Sequence, residues 1–505
     1  MAQQGRTKRV GRYAAGLLVL AAMATTVAWF AWLRAPAVSE FADNGTTLVL
    51  LPLKVDDAQR GNAVIALGLR AELTERLATI KDLRVIGDVS ARRVAAESFD
   101  PGQLRQRIGA THSLAGTLRI DATQAYAELR LVDSDSGQVL LKKTYDRAID
   151  EMSLLSQDIA LDVAKALKSL IPDAPDATRV PPAAYRAYCE ALELVENHER
   201  ARAIEVLRGL VAQHPNFARA HAALARVLVG DQRPEQLAPG ESVEITGAAR
   251  RALQLDPRLG DAHVAEAILA CRATDWVRCM RSFQHALALN PSDTYGRMAY
   301  AYWLGALGDI QAALREAETL WRSDPLSASA NFTRGRLLDT AGRHTEAAHY
   351  LEAATPPSAG LVYARWHNAV WREDPDAAAK IAATIPEGDG FREAYLVVSE
   401  ALIEPRLWSA ALSLIGTSER ATGNMDVLRL MMPDPDYSLI ITGLEGMLRN
   451  GWPSYYLLLW MPEYANLRRD PAFQEFLKRT HIIDYWRVAG WPPQCHAEAD
   501  AAVCN

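Results

Sequence analysis

Metal-binding and catalytic signatures are what this 505-residue sequence has least of. Its five cysteines form no CxxC and no Cys/His cluster at zinc spacing, which excludes a structural zinc site. Its eleven histidines form no HExxH or HxxxH pair, and His344 and His349 stand five apart, off one helical face. No GxSxG elbow occurs, so a hydrolase reading lacks its nucleophile. Neither GxGxxG nor GxxxxGKS/T occurs, which leaves Gly68, Gly109, Gly116 and Gly137 as turn and packing devices. Positive charge is also short: the formal net charge is −6, which excludes nucleic acid as the expected partner. Gly and Pro, 30 and 25 in number, show no collagen period, and a second hydrophobic run of membrane length is missing. The expectation is a chain that is not an enzyme and holds no metal or cofactor.

What is present begins with a charge split. Residues 1–34 carry Arg6, Lys8, Arg9, Arg12 and Arg34 and no acid, leaving 50 basic against 61 acidic groups in the remainder. From Tyr13 to Leu33 run 21 uncharged, mostly apolar residues. At about 1.5 Å per residue they match the thickness of a bilayer's hydrocarbon core. Trp29, Phe30 and Trp32 sit at one end, where rings favour the interface. Four basic residues precede the run and one follows. The positive-inside rule then predicts a transmembrane signal anchor at 13–33 and a cytoplasmic tail at 1–12. Everything after about residue 35 is then expected on the non-cytoplasmic side. The alternative is a signal peptide cleaved near Ala35-Pro36-Ala37, although the apolar run is longer than such peptides carry and Arg34 follows it. In an exported chain Cys271 and Cys279, eight apart, and Cys495 and Cys504, nine apart, are disulfide candidates that leave Cys189 over. The alternative is five small buried hydrophobes.

Between residues 46 and 172 the pattern alternates. Apolar runs at 47–53 and 83–86 read as strands. Residues 61–80 place Ile65, Leu69, Leu73, Leu77 and Ile80 at helical spacing. A short helix at 103–108 is stopped by Gly109, and strands follow at 112–120, 124–132 and 139–145. Asp133-Ser134-Asp135-Ser136-Gly137 is a hairpin turn, and 150–170 a closing amphipathic helix. The order βαβαβββα predicts an α/β domain with a mixed sheet.

In this stretch LVLLPL, GLRAELTERLATIKDLRVIG, IGATHSLAGTLRI and AELRLVDSDSGQVLLKKTYDR resemble, in that order, the amino-terminal domain of TolB and the related FlgO-like domain. The match departs from that pattern at DVSARRVAAESF, where a Ser/Thr-rich stretch is usual. The resemblance implies a non-catalytic domain that contacts proteins in the periplasm and binds no cofactor.

A Pro-rich stretch at 171–185 marks the boundary, with the linker at 173–183. Beyond it, Pro257 to Pro291 is 34 residues and Pro291 to Pro325 another 34, while Pro215 to Pro257 is 42 because of the insert GDQRPEQLAPGES. A 34-residue period closed by proline is the tetratricopeptide signature. It sets repeats at 184–217, 218–259, 260–293, 294–327 and 328–361. Position 20, where the two helices cross, holds Ala203, Cys279, Ala313 and Ala347. Such helix pairs stack into an all-α solenoid with a concave groove lined by the first helices. Positions 2, 5, 9 and 12 give a candidate partner-binding groove of Tyr185, Tyr188, Tyr295, Met298, Tyr302, Phe332, Arg336 and Asp339. The alternative is that these rings fill gaps between helices or pack against the α/β domain.

Residues 362–505 read as degenerate helical repeats and a C-terminal cap, with YYLLLW at 455–460 as a buried helix. Ten of the twelve tryptophans lie at or after Trp276, which fits rings buried between imperfect repeats. The ending NLRRDPAFQEFLKR and DYWRVAGWPPQC resembles the closing segment of large bacterial regulators. In those, a TolB-like domain and tetratricopeptide repeats follow a membrane helix. Their cytoplasmic winged-helix or adenylate-cyclase domain has no counterpart in MAQQGRTKRVGR, so neither output is carried over. The expectation is a membrane-anchored scaffold that binds a protein partner. The alternative is a sensor subunit that acts through a separate membrane protein.

Overall fold

The computed structural model of the chain describes residues 45–55, 60–97, 101–121, 123–169, 179–230, 241–416, 428–431, 435–449, 453–498 and 501–504. The expected anchor at 13–33 lies outside them, and no described helix is long and apolar enough to cross a membrane.

The first domain contains β1 (Thr46–Leu50), a short β2 (Lys54–Val55), α1 (Arg60–Ala78), β3 (Leu83–Ile86), α2 (Asp88–Ala96) and α3 (Pro101–Ile108). It continues with β4 (His112–Ile120), β5 (Gln124–Asp133), β6 (Val139–Ala148) and α4 (Met152–Ala166). The sheet order is β3-β1-β4-β5-β6, with β2 also pairing β4. Contacts of β1 with β3 and β4 are parallel, and the β4–β5–β6 meander is antiparallel, so the sheet is mixed. Strand period sorts the side chains into layers: Leu48 and Leu50 join the α1 stripe Ile65, Leu69, Leu73 and Leu77, whereas Val49 faces Ala91, Val94, Leu104 and Ile108 of α2 and α3. The hairpin turn forms as expected, with Asp133 Oδ1 accepting from the Asp135 and Ser136 N–H groups and Gly137 at φ +69°. The strand expected at 47–53 ends at Leu50 and the one expected at 139–145 runs to Ala148, and two helix expectations also need correction. The closing helix stops at Ala166 rather than 170, and helix α2 was not foreseen because DVSARRVAA is only nine residues with weak apolar content.

The solenoid follows in pairs: α5 (Pro182–Glu196) with α6 (Arg200–Gln213), α7 (Ala218–Val229) with α8 (Glu241–Leu255), and α9 (Gly260–Arg272) with α10 (Trp276–Leu289). Next come α11 (Thr294–Ala306) with α12 (Ile310–Ser323), and α13 (Ala328–Thr340) with α14 (His344–Ala353). The crossing residues Ala203, Cys279, Ala313 and Ala347 are all fully buried, as the 34-residue register requires. Side chains of Asp275, Asp293, Asp309 and Ser327 cap α10, α11, α12 and α13 by accepting a backbone N–H. Two further pairs continue the array, α15 (Ala359–Trp371) with α16 (Pro375–Ala383) and α17 (Arg392–Ile403) with α18 (Trp408–Gly416).

The remainder turns back along the array as α19 (Tyr437–Arg449), a 3-10 segment (Pro453–Trp460), α20 (Ala465–Arg469), α21 (Pro471–Arg479) and α22 (Ile482–Ala489). A hairpin of β7 (Cys495–Glu498) and β8 (Ala501–Cys504) closes it. YYLLLW is therefore 3-10 rather than α-helical, although Tyr456 to Trp460 are buried as expected.

Candidate functional site

The α/β domain and the C-terminal segment both pack against the solenoid. Helix α1 packs against α5 so closely that a methyl group at Gly68 would overlap the Cys189 sulfur. Tyr185 and Tyr188, 3 % and 7 % exposed, are therefore buried against the α/β domain instead of facing solvent. Cys189 lies fully buried beside them, and burial pushes its thiol up.

The domain also grips the edge of the array where one repeat passes to the next. Helix α2 has no cap side chain of its own; Asp324 of the solenoid supplies one, its Oδ1 accepting from Ser90 N–H at 2.8 Å and from Ser90 Oγ at 2.5 Å. Gly87 N–H donates to Ser323 O at 2.7 Å, Leu326 N–H to Ser90 Oγ at 3.0 Å, and Arg93 Nη1 to Leu326 O at 3.2 Å. A Cβ at Gly87 would sit 2.6 Å from the Asp324 carboxyl, so only glycine permits this approach. Farther along, Arg219 Nη1 pairs with Glu75 at 2.6 Å.

The opposite edge, where the helices within a repeat turn, is covered by the C-terminal segment. Helix C-termini leave unpaired carbonyls, and large rings supply the donors here. Trp460 Nε1 donates to Ala306 O and Trp486 Nε1 to Leu307 O, both at 2.9 Å, and Gln494 Nε2 to Gly308 O at 2.9 Å. In return Trp276 Nε1 donates to Thr480 O at 2.7 Å. Leu457 lies on α11 at Gly305, where a Cβ would meet it at 2.5 Å.

The predicted groove residues divide accordingly. Tyr302 and Arg336 are each 8 % exposed, and Arg336 lies over the Trp371 ring at 5.9 Å. Asp339, 1 % exposed, accepts from Asn368 Nδ2 at 2.7 Å and contacts His344 Nδ1 at 3.0 Å. His344 Nε2 reaches Glu463 Oε1 at 2.7 Å, tying repeat five to the C-terminal segment. Burial opposes a charge on this imidazole, but the two carboxylates outweigh it and the His344 pKa is pushed up to about 9. Tyr295, Met298 and Phe332 stay half-buried. Arg226 covers the Tyr295 ring at 4.0 Å while pairing its two terminal guanidinium nitrogens with Asp293 at 3.2 Å. Burial alone would raise the Asp293 carboxyl; the Arg226 pair holds it below the usual carboxylate range.

Cys271 is bonded to Cys279 across the turn of repeat three, and Cys495 to Cys504 across the terminal hairpin. Sequence reasoning missed Asp324, Ser90 and the Trp donors. The recurrent Asp-Pro signal marked Asp324 only as a helix end.

A tetratricopeptide-repeat family model matches residues 188–236 and 298–361. None of the curated proteins compared matches the chain. Among solved structures, the chain is similar to PilF of Pseudomonas aeruginosa at 18 % identity, covering 40 % of this chain and 89 % of that one with a TM-score of 0.32. It is also similar to PilW, a type IV pilus biogenesis factor, at 16 % identity, covering 40 % and 92 % with a TM-score of 0.34. A third is YrrB, a tetratricopeptide protein with a peptide-binding site, at 20 % identity, covering 35 % and 89 % with a TM-score of 0.25. The solenoid thus carries tetratricopeptide repeats, which in general serve as protein-interaction scaffolds.

Proposed function

We propose that the chain is a membrane-anchored periplasmic scaffold, held by residues 13–33 with its N-terminus in the cytoplasm, whose work is binding a protein partner rather than catalysis. The observation that carries the reading is that Tyr295, Met298 and Phe332, at groove positions of the register on the first helices of repeats four and five, stay half-buried. Two disulfides fit an oxidising compartment, and the basic 1–34 segment fits the stated topology. The resemblance of the α/β domain to the TolB amino-terminal and FlgO-like domains supports a periplasmic, protein-contacting role.

The test is a photo-crosslinking residue placed at Met298 or Phe332 in native membranes. One discrete protein adduct is expected from each, with none from the exposed control position Arg281. Equal adducts from Arg281, or none from Met298 and Phe332, would overturn the groove reading.

A further inference from the structure

The two edges of the sheet differ. At the β3 edge, Gly87 N–H reaches Ser323 O of the solenoid. At the other edge lies β6, ten residues long, with β5 as its strand neighbour. The register tells which of its backbone groups face outwards. Ile149 N–H donates to Thr123 O at 3.0 Å, and the pairs Ala125–Arg147, Ala127–Tyr145, Leu129–Lys143 and Leu131–Leu141 continue that alternation. The intervening Lys142, Thr144 and Asp146 therefore turn their N–H and C=O groups away from β5. Arg147 Nη1 donates to Asp146 O at 2.9 Å, in keeping with a carbonyl turned off the sheet. Among the described residues the other outward groups of these three have no backbone or side-chain partner.

An open edge is a template for another strand, and proteins guard such edges with lysines and bulges. Strand β6 has both, a register shift opposite Leu131 and Val132 and then Lys142 and Lys143. On the face toward α4 the cations are already neutralised, Lys143 by Asp162 at 2.7 Å and Arg147 by Asp158 at 2.6 Å. On the other face Lys142, Thr144 and Asp146 are all exposed, and Lys142 reaches Glu128 of β5 at 3.4 Å. These charges reject most strands and fit β6 of a second copy. With a two-fold axis at Thr144, antiparallel pairing sets outward backbone groups against outward groups. Lys142 then stands opposite Asp146 on both sides of the axis, and Thr144 opposite Thr144. Lys143 stands opposite Tyr145, a ring of the kind it already covers at 5.0 Å within its own strand. Sliding the pair by one two-residue step sets Lys143 opposite Lys143 in one direction and opposite Arg147 in the other, like charges facing each other. The strand thus selects its own copy in one register.

We infer that two copies of this chain join edge to edge through β6, centred on Thr144, so that one sheet runs across the two-fold axis. In the pair the Lys142 N–H replaces Arg147 as the donor to Asp146 O of the other copy. The inference goes beyond the scaffold reading and concerns the sheet, not the groove positions around Met298.

The experiment uses the full chain in detergent, with Thr144→Cys oxidised by copper phenanthroline. Opposed residues of a hydrogen-bonded antiparallel pair lie about 5.5 Å apart at Cα, within disulfide reach. A covalent dimer is therefore expected from Thr144→Cys and none from the unaltered chain, in which Cys189 is buried and the other four cysteines are bonded to each other. Lys142→Cys mixed with Asp146→Cys is expected to crosslink, and either alone not. In sedimentation, Lys142→Asp or Asp146→Lys is expected to weaken association about tenfold, because two opposed pairs become like-charged. The double exchange Lys142→Asp, Asp146→Lys is expected to restore it. A monomer at every concentration, no crosslink from Thr144→Cys, or a double exchange that fails to restore association overturns the inference. So does a Thr144→Cys adduct to a different protein in native membranes with no dimer, because the edge would then take a foreign strand.

Discussion

Along the inter-repeat edge of the solenoid, the α/β domain is held by small residues and one shared carboxylate: Gly68 and Gly87 admit the neighbouring chain, and Asp324 caps a helix 234 residues away in sequence. Along the intra-repeat edge, the C-terminal segment is held by indole rings that donate to the last carbonyls of α11 and its connecting turn. Both seams satisfy orphan groups at helix ends, one set of N–H groups and one of carbonyls. They differ in what they bury. The first depends on close backbone approach and a buried carboxyl group, so its energy sits in a few directional contacts. The second depends on ring area, with Trp460, Trp486 and Trp491 in a chain of ring contacts at 5.8 and 5.4 Å. Of the predicted groove residues, Tyr295, Met298 and Phe332 are the ones that stay half-buried.

Breaking the ring-based seam should produce the largest effect. Trp486 is 1 % exposed, and Trp486→Ala is expected to cost about 3–5 kcal/mol by denaturant titration, as truncation of buried indoles does. Hydrogen exchange should accelerate over 453–504 while α2 keeps its protection. Equal acceleration in both places would mean that the seams are one cooperative unit. The converse change, Asp324→Ala, leaves the Ser90 N–H and hydroxyl without their acceptor and is expected to cost about 2 kcal/mol. Its exchange signature should be confined to 88–96, with Asp324→Asn intermediate.

How much of this was legible follows from range. The 34-residue period and the buried crossing residues are local patterns that appear where the spacing put them, and so are the strands, although β1 stops at Leu50 and β6 runs on to Ala148. The seams are not local. Nothing within DVSARRVAA announces that its first turn is capped from Asp324, because the helix offers neither a strong apolar stripe nor a cap of its own. Tyr185 and Tyr188 sit at groove positions by register, yet the same register cannot say that α1 packs against α5 and buries them. Late tryptophans signalled burial correctly, but their hydrogen-bond acceptors lie up to 204 residues away and have no sequence mark. Phe332 illustrates the middle case: its position was readable, while its packing beside Leu351, Ala354 and Leu361 was not.

A pH titration sharpens the comparison more gently. His344 bridges Asp339 and Glu463, and its folded pKa of about 9 lies above the ordinary histidine value. A raised histidine pKa means that the folded state holds the proton more tightly. The contribution is fully present below about pH 6.5 and is lost as pH rises toward 9. Because Glu463 keeps 36 % of its side chain in water, the expected loss is discounted to about 1–2 kcal/mol. His344→Gln should flatten the stability profile across that window. An unchanged profile would show that the C-terminal seam owes nothing to this bridge.

The smallest change tests the array itself. In repeats one, three, four and five the turn between the helices has its left-handed residue at the same register position: His198 at φ 61°, Thr274 at 56°, Gly308 at 88° and Gly342 at 73°. Two of these are the glycines that such a backbone favours, whereas Thr274 is β-branched and pays the steric cost of Cβ against the following carbonyl. Thr274→Gly is therefore expected to stabilise the chain by about 1 kcal/mol, with Cys271–Cys279 kept oxidised so that the turn's closure is constant. The residue touches neither seam directly, but Trp276 two positions on carries the bond to Thr480 of the C-terminal segment. If the array is the frame on which both seams rest, slower exchange should appear in repeat three and leave the contrast between α2 and 453–504 as it was. If protection rises selectively over 471–489, the turn belongs to the ring-based seam, and that seam reaches into the array through Trp276.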